Sequence, residues 1–153
     1  MAGLVERADQ VVVARVSAQQ ARWDGDQIVT DVLLEVEDAV HGSASTGDTL
    51  MLVRLGGAID DLGMRVEGEP SFNDGNRYLV FLREWRGMYR PVGMSQGVMR
   101  VQEQADGTRI VEPGGAGLSL VTRPGGPPAL GALWRPRTLS SVRDQIRRLA
   151  REP

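Results

Sequence analysis

Short apolar runs separated by Gly or Asp-Gly turns recur roughly every 8–15 residues over the first two thirds of this chain, a spacing that suits many short strands and leaves little room for helices. Val11 to Val16 (VVVARV) is apolar on both faces, as a strand central to a closed sheet requires. Asp24-Gly25 supplies a tight-turn signal, and residues 27–40 alternate cleanly. Ile28, Thr30, Val32, Leu34 and Val36 share one face, and Asp31, Glu35 and Glu37 share the other. Thr49 to Leu55 predicts a third strand, MRVEG at 64–68 a short fourth, and Arg77 to Arg83 another. Met88–Val92 and Gly97–Gln102 read as the arms of one hairpin, and Thr108–Val111 follows an Asp106-Gly107 turn. The pattern predicts an all-β barrel or sandwich, its corners bent at glycine.

The two ends differ in period. Leu4, Val5 and Ala8 predict a short helix over residues 3–9. Residues 113–136 hold five of the chain's eight Pro and read as an extended strap around Trp134, with one strand expected at Leu118–Val121. Leu139, Val142, Ile146 and Leu149 then repeat at helical spacing among Arg143, Arg147, Arg148 and Arg151, which predicts an amphipathic helix over 139–151. Ser141 and Asp144 have the spacing of a capping box. The helix is expected to fold back and plug an open end of the barrel; a basic membrane-surface helix is disfavoured because its apolar stripe lacks aromatics. The division is a barrel at 1–111, a strap at 112–137 and a helix at 138–153, all one domain, since 153 residues can bury a core without staples.

Composition removes several chemistries. The chain has no Cys, which excludes thiolate nucleophiles, disulfides and Cys-based zinc or iron–sulfur sites. Its one His, in a polar loop beside Gly42, has no second imidazole with which to share a metal, so neither metal nor cofactor is expected. A net charge of −2 argues against a phosphate-backbone partner, because nucleic-acid domains carry a basic excess. All 18 basic residues are Arg, as high-GC codon usage produces. No apolar run is long enough to cross a membrane as a helix. The chain begins without a signal-like segment, so it is either cytoplasmic or a mature form whose signal is missing from it.

Each candidate site residue also has a plainer role. Asp60-Asp61, after Gly57 in GGAIDDLG, can offer carboxylate oxygens to a hard cation, but the spacing matches no calcium loop and an exposed hairpin tip is favoured. Asp31 and Glu35, on the polar face of a strand, are ordinary solvated carboxylates rather than a glycosidase pair. Ser95 in Gly93-Met94-Ser95-Gln96-Gly97 has the G-x-S-x-G form of a hydrolase elbow. An elbow joins a strand to a helix and needs a His downstream; here it joins two strands, so a tight turn is favoured. Trp23 and Trp85 each stand near a turn beside an Arg, Arg22 and Arg86, and suggest a stacking or cation–π platform for a ligand, although such Trp residues more often cap a barrel end.

The order ADQVVVARV, RWDGDQIVTDVLLEVEDAVHG, GDTLMLVRLGGAIDDLGMRVEGEPSF, RYLVFLR and YRPVGMSQGVMRV resembles a group of exported bacterial β-barrel domains common in myxobacteria and other high-GC species. The likeness covers about residues 4–102. It implies a mainly β, five- to six-stranded, closed or partly open OB-like Greek-key barrel, distantly similar to the netrin-like modules of metalloprotease inhibitors. It also implies export to the periplasm or beyond, with no catalytic residue attached. The N-terminal Cys with which those inhibitors chelate a protease zinc is missing. The expectation is therefore a non-enzymatic exported module that binds a protein or cell-envelope component, with a secreted protease as one such partner. An OB-type binder of oligosaccharide or oligonucleotide, using Trp23, Trp85 and surface Arg, is the alternative.

Overall fold

A computed structural model of the chain describes residues 1–113 and 137–151. Helix α1 (Ala2–Arg7) leads into β1 (Gln10–Asp24), β2 (Gln27–His41), β3 (Thr49–Leu55) and a small ribbon made of β4 (Gly57–Ile59) and β5 (Leu62–Met64). There follow β6 (Arg77–Trp85), β7 (Met88–Pro91), a 3-10 turn (Met94–Gly97), β8 (Val98–Glu103), β9 (Arg109–Pro113), β10 (Arg137–Thr138) and α2 (Leu139–Arg151). The chain is mainly β with a short helix before the sheet and a longer one after it. The described residues hold ten strands, more than the five to six expected, because the sheet extends past β6 and the Gly-rich loop pairs with itself. The expected strand at 118–121 and Trp134 lie outside the described residues. The strap's own ends do not: Glu112 and Pro113 finish β9, and Arg137 opens β10.

One large mixed sheet organises the molecule. β1 pairs with β2 along one edge and with β6 along the other; β2 pairs with β3, β3 with β7, and β7 with β6, so the neighbours return to β1. The β3–β7 contact, at Leu52 and Tyr89, is parallel and the rest are antiparallel. Bulge-like register shifts between β1 and β2, near Val12, Ala14 and Ala18, increase the local twist and let one long strand serve two neighbours. Beyond Arg15, β1 pairs with β2 alone. Its length was underestimated from sequence because SAQQARW carries no apolar alternation on this half-solvated stretch.

Alternation along β1 divides its side chains between two cores. Val12, Ala14 and Val16 pack with Leu34, Leu52 and Val80 on the face enclosed by the returning strands. Val11 and Val13 pack on the other face with Phe81, Met99 and Val111, beneath α1 and α2. Helix α2 therefore covers the outer face of the sheet through Leu139, Val142 and Ile146. This corrects the expected plug at an open end: a strand apolar on both sides needs a cover for its outer face. The helix is capped one turn earlier than expected. Thr138 Oγ1 accepts the Ser141 N–H at 3.2 Å, which places Ser141 inside the first turn and removes it from the capping box with Asp144.

The segment read as a β7–β8 hairpin is instead one interrupted strand. Both arms lie along β6, with Pro91 opposite Leu82 and Val98 opposite Val80, and Val92 to Gly97 bulge out between them. A turn there was expected and is present, but as a 3-10 turn. Met94 holds a left-handed φ of 57°, and the Ser95 N–H donates to the Gly68 carbonyl at 2.9 Å. At Gly97 a side chain would run into the Val92 carbonyl, so glycine is demanded by close approach. Upstream of this bulge β7 turns towards β3; downstream, β8 carries the sheet out to β9 and β10.

Three substitutions check this packing in urea unfolding. Ile146→Ala, which empties a fully buried site under α2, is expected to lower stability by about 2–5 kcal/mol, and Leu149→Ala, only partly buried, by clearly less. Gly97→Ala is expected to cost about 1–3 kcal/mol through overpacking against the bulge. Two-state transitions unmoved by Ile146→Ala or by Gly97→Ala would refute the assigned contacts.

Candidate functional site

The residues singled out from sequence fall at two opposite ends of β1. Leu82 pairs with Gln10 at the start of β1, so the β6–β7 turn with Trp85 and Arg86 lies beyond that start. Trp23 stands at the other terminus, thirteen residues further along β1, or roughly 40 Å of extended strand. The register of β1 with β2 and β6 thus sets the two similar Trp-Arg turns at opposite ends of β1. Each Arg is also engaged. The Arg86 guanidinium stacks 4.6 Å from the centroid of Trp85, covering one face of that ring. Arg22 Nε donates to Asp31 Oδ2 at 2.8 Å, and that bond raises the Arg22 pKa. Trp23 itself is about half exposed at the hairpin tip.

Gly57, Asp60 and Asp61 do come together with that hairpin. The Thr30 hydroxyl donates to the Gly56 carbonyl at 2.8 Å, and Gly57, at φ 141°, lies against Thr30, Ala21 and Ile28 with no room for a side chain. This close approach seats the β4–β5 ribbon on the β1–β2 hairpin. The ribbon's turn presents Asp60, in a left-handed conformation, with Asp61 and Leu62, all three exposed. The tip is an exposed hairpin, and among the described residues no group of three or more His, Asp or Glu is arranged to hold a metal ion. His41 is not in a loop as expected: it closes β2 opposite Val11. Ser95 is buried in its 3-10 turn.

Below the ribbon lies a group that sequence reasoning missed. A cleft of about 510 Å³ opens between the end of β3, the ribbon and residues 65–71, lined among others by Arg54, Gly57, Met64, Glu69 and Pro70. The Glu69 carboxylate is almost wholly buried and is held by three donors. Its Oε1 accepts from Arg90 Nη2 at 2.8 Å, and its Oε2 accepts from Arg90 Nη1 at 3.2 Å and from the Leu55 N–H at 2.7 Å. Arg90 Nη1 also donates to the Val53 carbonyl at 2.9 Å, so this fork ties β7, β3 and the loop together. Arg54, next to Val53 in β3, is half-buried, and loss of hydration lowers its pKa against the opposing charge of Glu69. The signal in the sequence was slight: Arg54 and Arg90 are the charges that interrupt the apolar runs TLMLVRL and MYRPV.

A second cleft, of about 480 Å³, lies between the end of β2 and the start of α2. Three of its four charged lining residues, Glu37, Asp38 and Arg143, are paired. Arg77 Nε donates to Glu37 Oε1 at 2.6 Å, and Arg143 Nε faces Asp38 Oδ2 at 2.8 Å as an ion pair without hydrogen-bond alignment. Comparison with protein-family models, curated proteins and solved structures gives no match.

Glu69→Gln is expected to lower stability by about 3 kcal/mol in urea unfolding, because it leaves the Arg90 guanidinium without its buried counter-charge. Glu35→Gln, which breaks an Arg15 pair exposed on both sides, is expected to cost less than about 1 kcal/mol. Equal effects at the two positions would contradict a bracing role for Glu69.

Proposed function

We propose that this chain is a non-catalytic binding module, an OB-type barrel that recognises a protein or cell-envelope component with the end bearing the β4–β5 ribbon. The ring of pairings β1-β2-β3-β7-β6, with its one parallel contact between β3 and β7, supports the barrel reading, because a five-stranded, partly open Greek-key barrel has this kind of connectivity. The ribbon carries the functional part of the proposal. It is seated on the β1–β2 hairpin, presents Leu62 to solvent at its tip, and borders the larger of the two clefts described above. A short exposed hairpin beside a cleft is suited to entering or clasping a partner. Export rests on the resemblance of the strand order to secreted bacterial domains, and a secreted protease is the sharper form of the protein partner. Among the described residues no helix is long and apolar enough to cross a membrane.

Surface-immobilised full chain, challenged with purified secreted metalloproteases, cell-wall glycan fragments and single-stranded oligonucleotides, tests the proposal. Saturable binding of a protease or envelope fragment is expected. Leu62→Asp should weaken it at least tenfold, and Trp85→Ala, at the far end, should leave it unchanged. Binding of the oligonucleotide alone, binding lost with Trp85 but kept without Leu62, or catalytic turnover abolished at Ser95 or Asp61 would each reject it.

A further inference from the structure

Arg54 has more hydrogen-bonding capacity than its surroundings use. Both oxygens of the nearby Glu69 carboxylate are taken by Arg90 and the Leu55 N–H. Arg54 Nε is buried and has no hydrogen-bond partner among the described residues. The lowered pKa agrees with this: the guanidinium loses hydration that the Glu69 charge only partly replaces. The same side chain lines the 510 Å³ cleft, whose other walls include Gly57, Met64, Val66 and Pro70. That volume lies in the range of small-ligand sites, about 300–1,000 Å³, and their usual composition is an apolar wall with a few placed charges, here Arg54, Arg65 and the Glu69 already held by Arg90.

We propose that this cleft is a carboxylate-binding site with Arg54 as the contacting cation, taking an acid group carried on a small apolar body, as the C-terminal residue of a protein chain presents it. A planar guanidinium matches a carboxylate two donors to two acceptors. Arg54 is the half-buried cation and Arg65 an exposed one on the same cleft; with the buried Glu69 carboxylate beside them, the charge balance suits a singly charged ligand better than a phosphate, which carries about twice the charge. Met64, Val66 and Pro70 supply the contact for an aliphatic side chain next to the acid. The Glu69–Arg90 fork fixes the floor of the site, so the ligand meets a preformed surface. Arg54→Lys would keep the charge and lose the planar match.

This inference deepens the binding reading and rests on it for biological meaning, but its test reads the cleft alone; failure here would leave the Leu62 experiment standing, and failure there would leave this one. The ¹⁵N-labelled full chain is titrated at constant ionic strength with N-acetylleucine, N-acetylleucinamide, acetate and inorganic phosphate, following the Arg54 Nε–H and the backbone amides of Leu55 and Ala58. N-acetylleucine is expected to shift these resonances saturably, with a Kd of about 1–10 mM. The amide, which lacks the charge, and acetate, which lacks the apolar body, should bind at least tenfold more weakly, as should phosphate. Arg54→Gln should abolish the response, and Arg86→Gln should preserve it. Absence of saturable shifts, an equal response to the amide or to acetate, tighter binding of phosphate, or an unchanged response in a folded Arg54→Gln variant would overturn the proposal. If that variant loses its spectral dispersion, the acid-against-amide comparison on the unaltered chain decides.

Discussion

β1 is buried from both sides over Val11 to Ala14, and most of the molecule answers that constraint. A strand with one solvated face could have formed the edge of an open sandwich. This one needs an enclosed face and a covered face, and the returning strands β2, β3, β7 and β6 provide the first while α1 and α2 provide the second. The terminal helices thus complete the packing of the strand that lies between them in the chain. Their apolar stripes are short because only one row of β1 residues, Val11 and Val13, with its β6 and β8 neighbours, remains to be covered.

A second constraint acts where the ring is thinnest. β3 and β7 meet through a single registered pair, Leu52 and Tyr89, so hydrogen bonding along the strands gives that seam little strength. Arg90 reinforces it from the side, bonding the Val53 carbonyl directly and the Leu55 N–H through Glu69. The buried ion pair does work that a strand ladder would do elsewhere. Because it uses up the Glu69 carboxylate, it also leaves the neighbouring Arg54 Nε without a partner among the described residues. Closure of the sheet and the chemistry of the cleft are consequences of one arrangement.

What could be read in advance followed the range of each interaction. Thr49–Leu55 and Leu139–Arg151 begin and end where their apolar periods predict, because a single local face decides them. The distal half of β1 was missed because its residues are half-solvated and carry no strand signature. The arms of Met88–Pro91 and Val98–Glu103 look locally like a hairpin, turn residues included; their partner is β6, and no local pattern states that. The candidate residues divide in the same way. Gly57, Asp60 and Asp61 were drawn together by one Gly-rich turn, and the structure keeps them together. Trp23 and Trp85 share a local motif, and strand register sends them to opposite ends. Glu69 and Arg90 were invisible because their value lies in meeting each other across twenty intervening residues that include all of β6.

The ring is fastened by Gln10 to Arg15 pairing with Arg77 to Leu82, which are distant in sequence. The hairpin of β1 and β2 can form as soon as residue 41 is available, but the second edge of β1 stays open until β6 is made. During that interval the Val11–Val13 row and an unpaired strand edge face solvent together, a template on which a neighbouring chain can pair. Contacts of such long range also close slowly. Synthesis therefore exposes the doubly buried stretch of β1 before its β6 partner exists, and the same long-range closure makes yield in refolding depend on chain concentration more steeply than the stability of the finished fold would suggest.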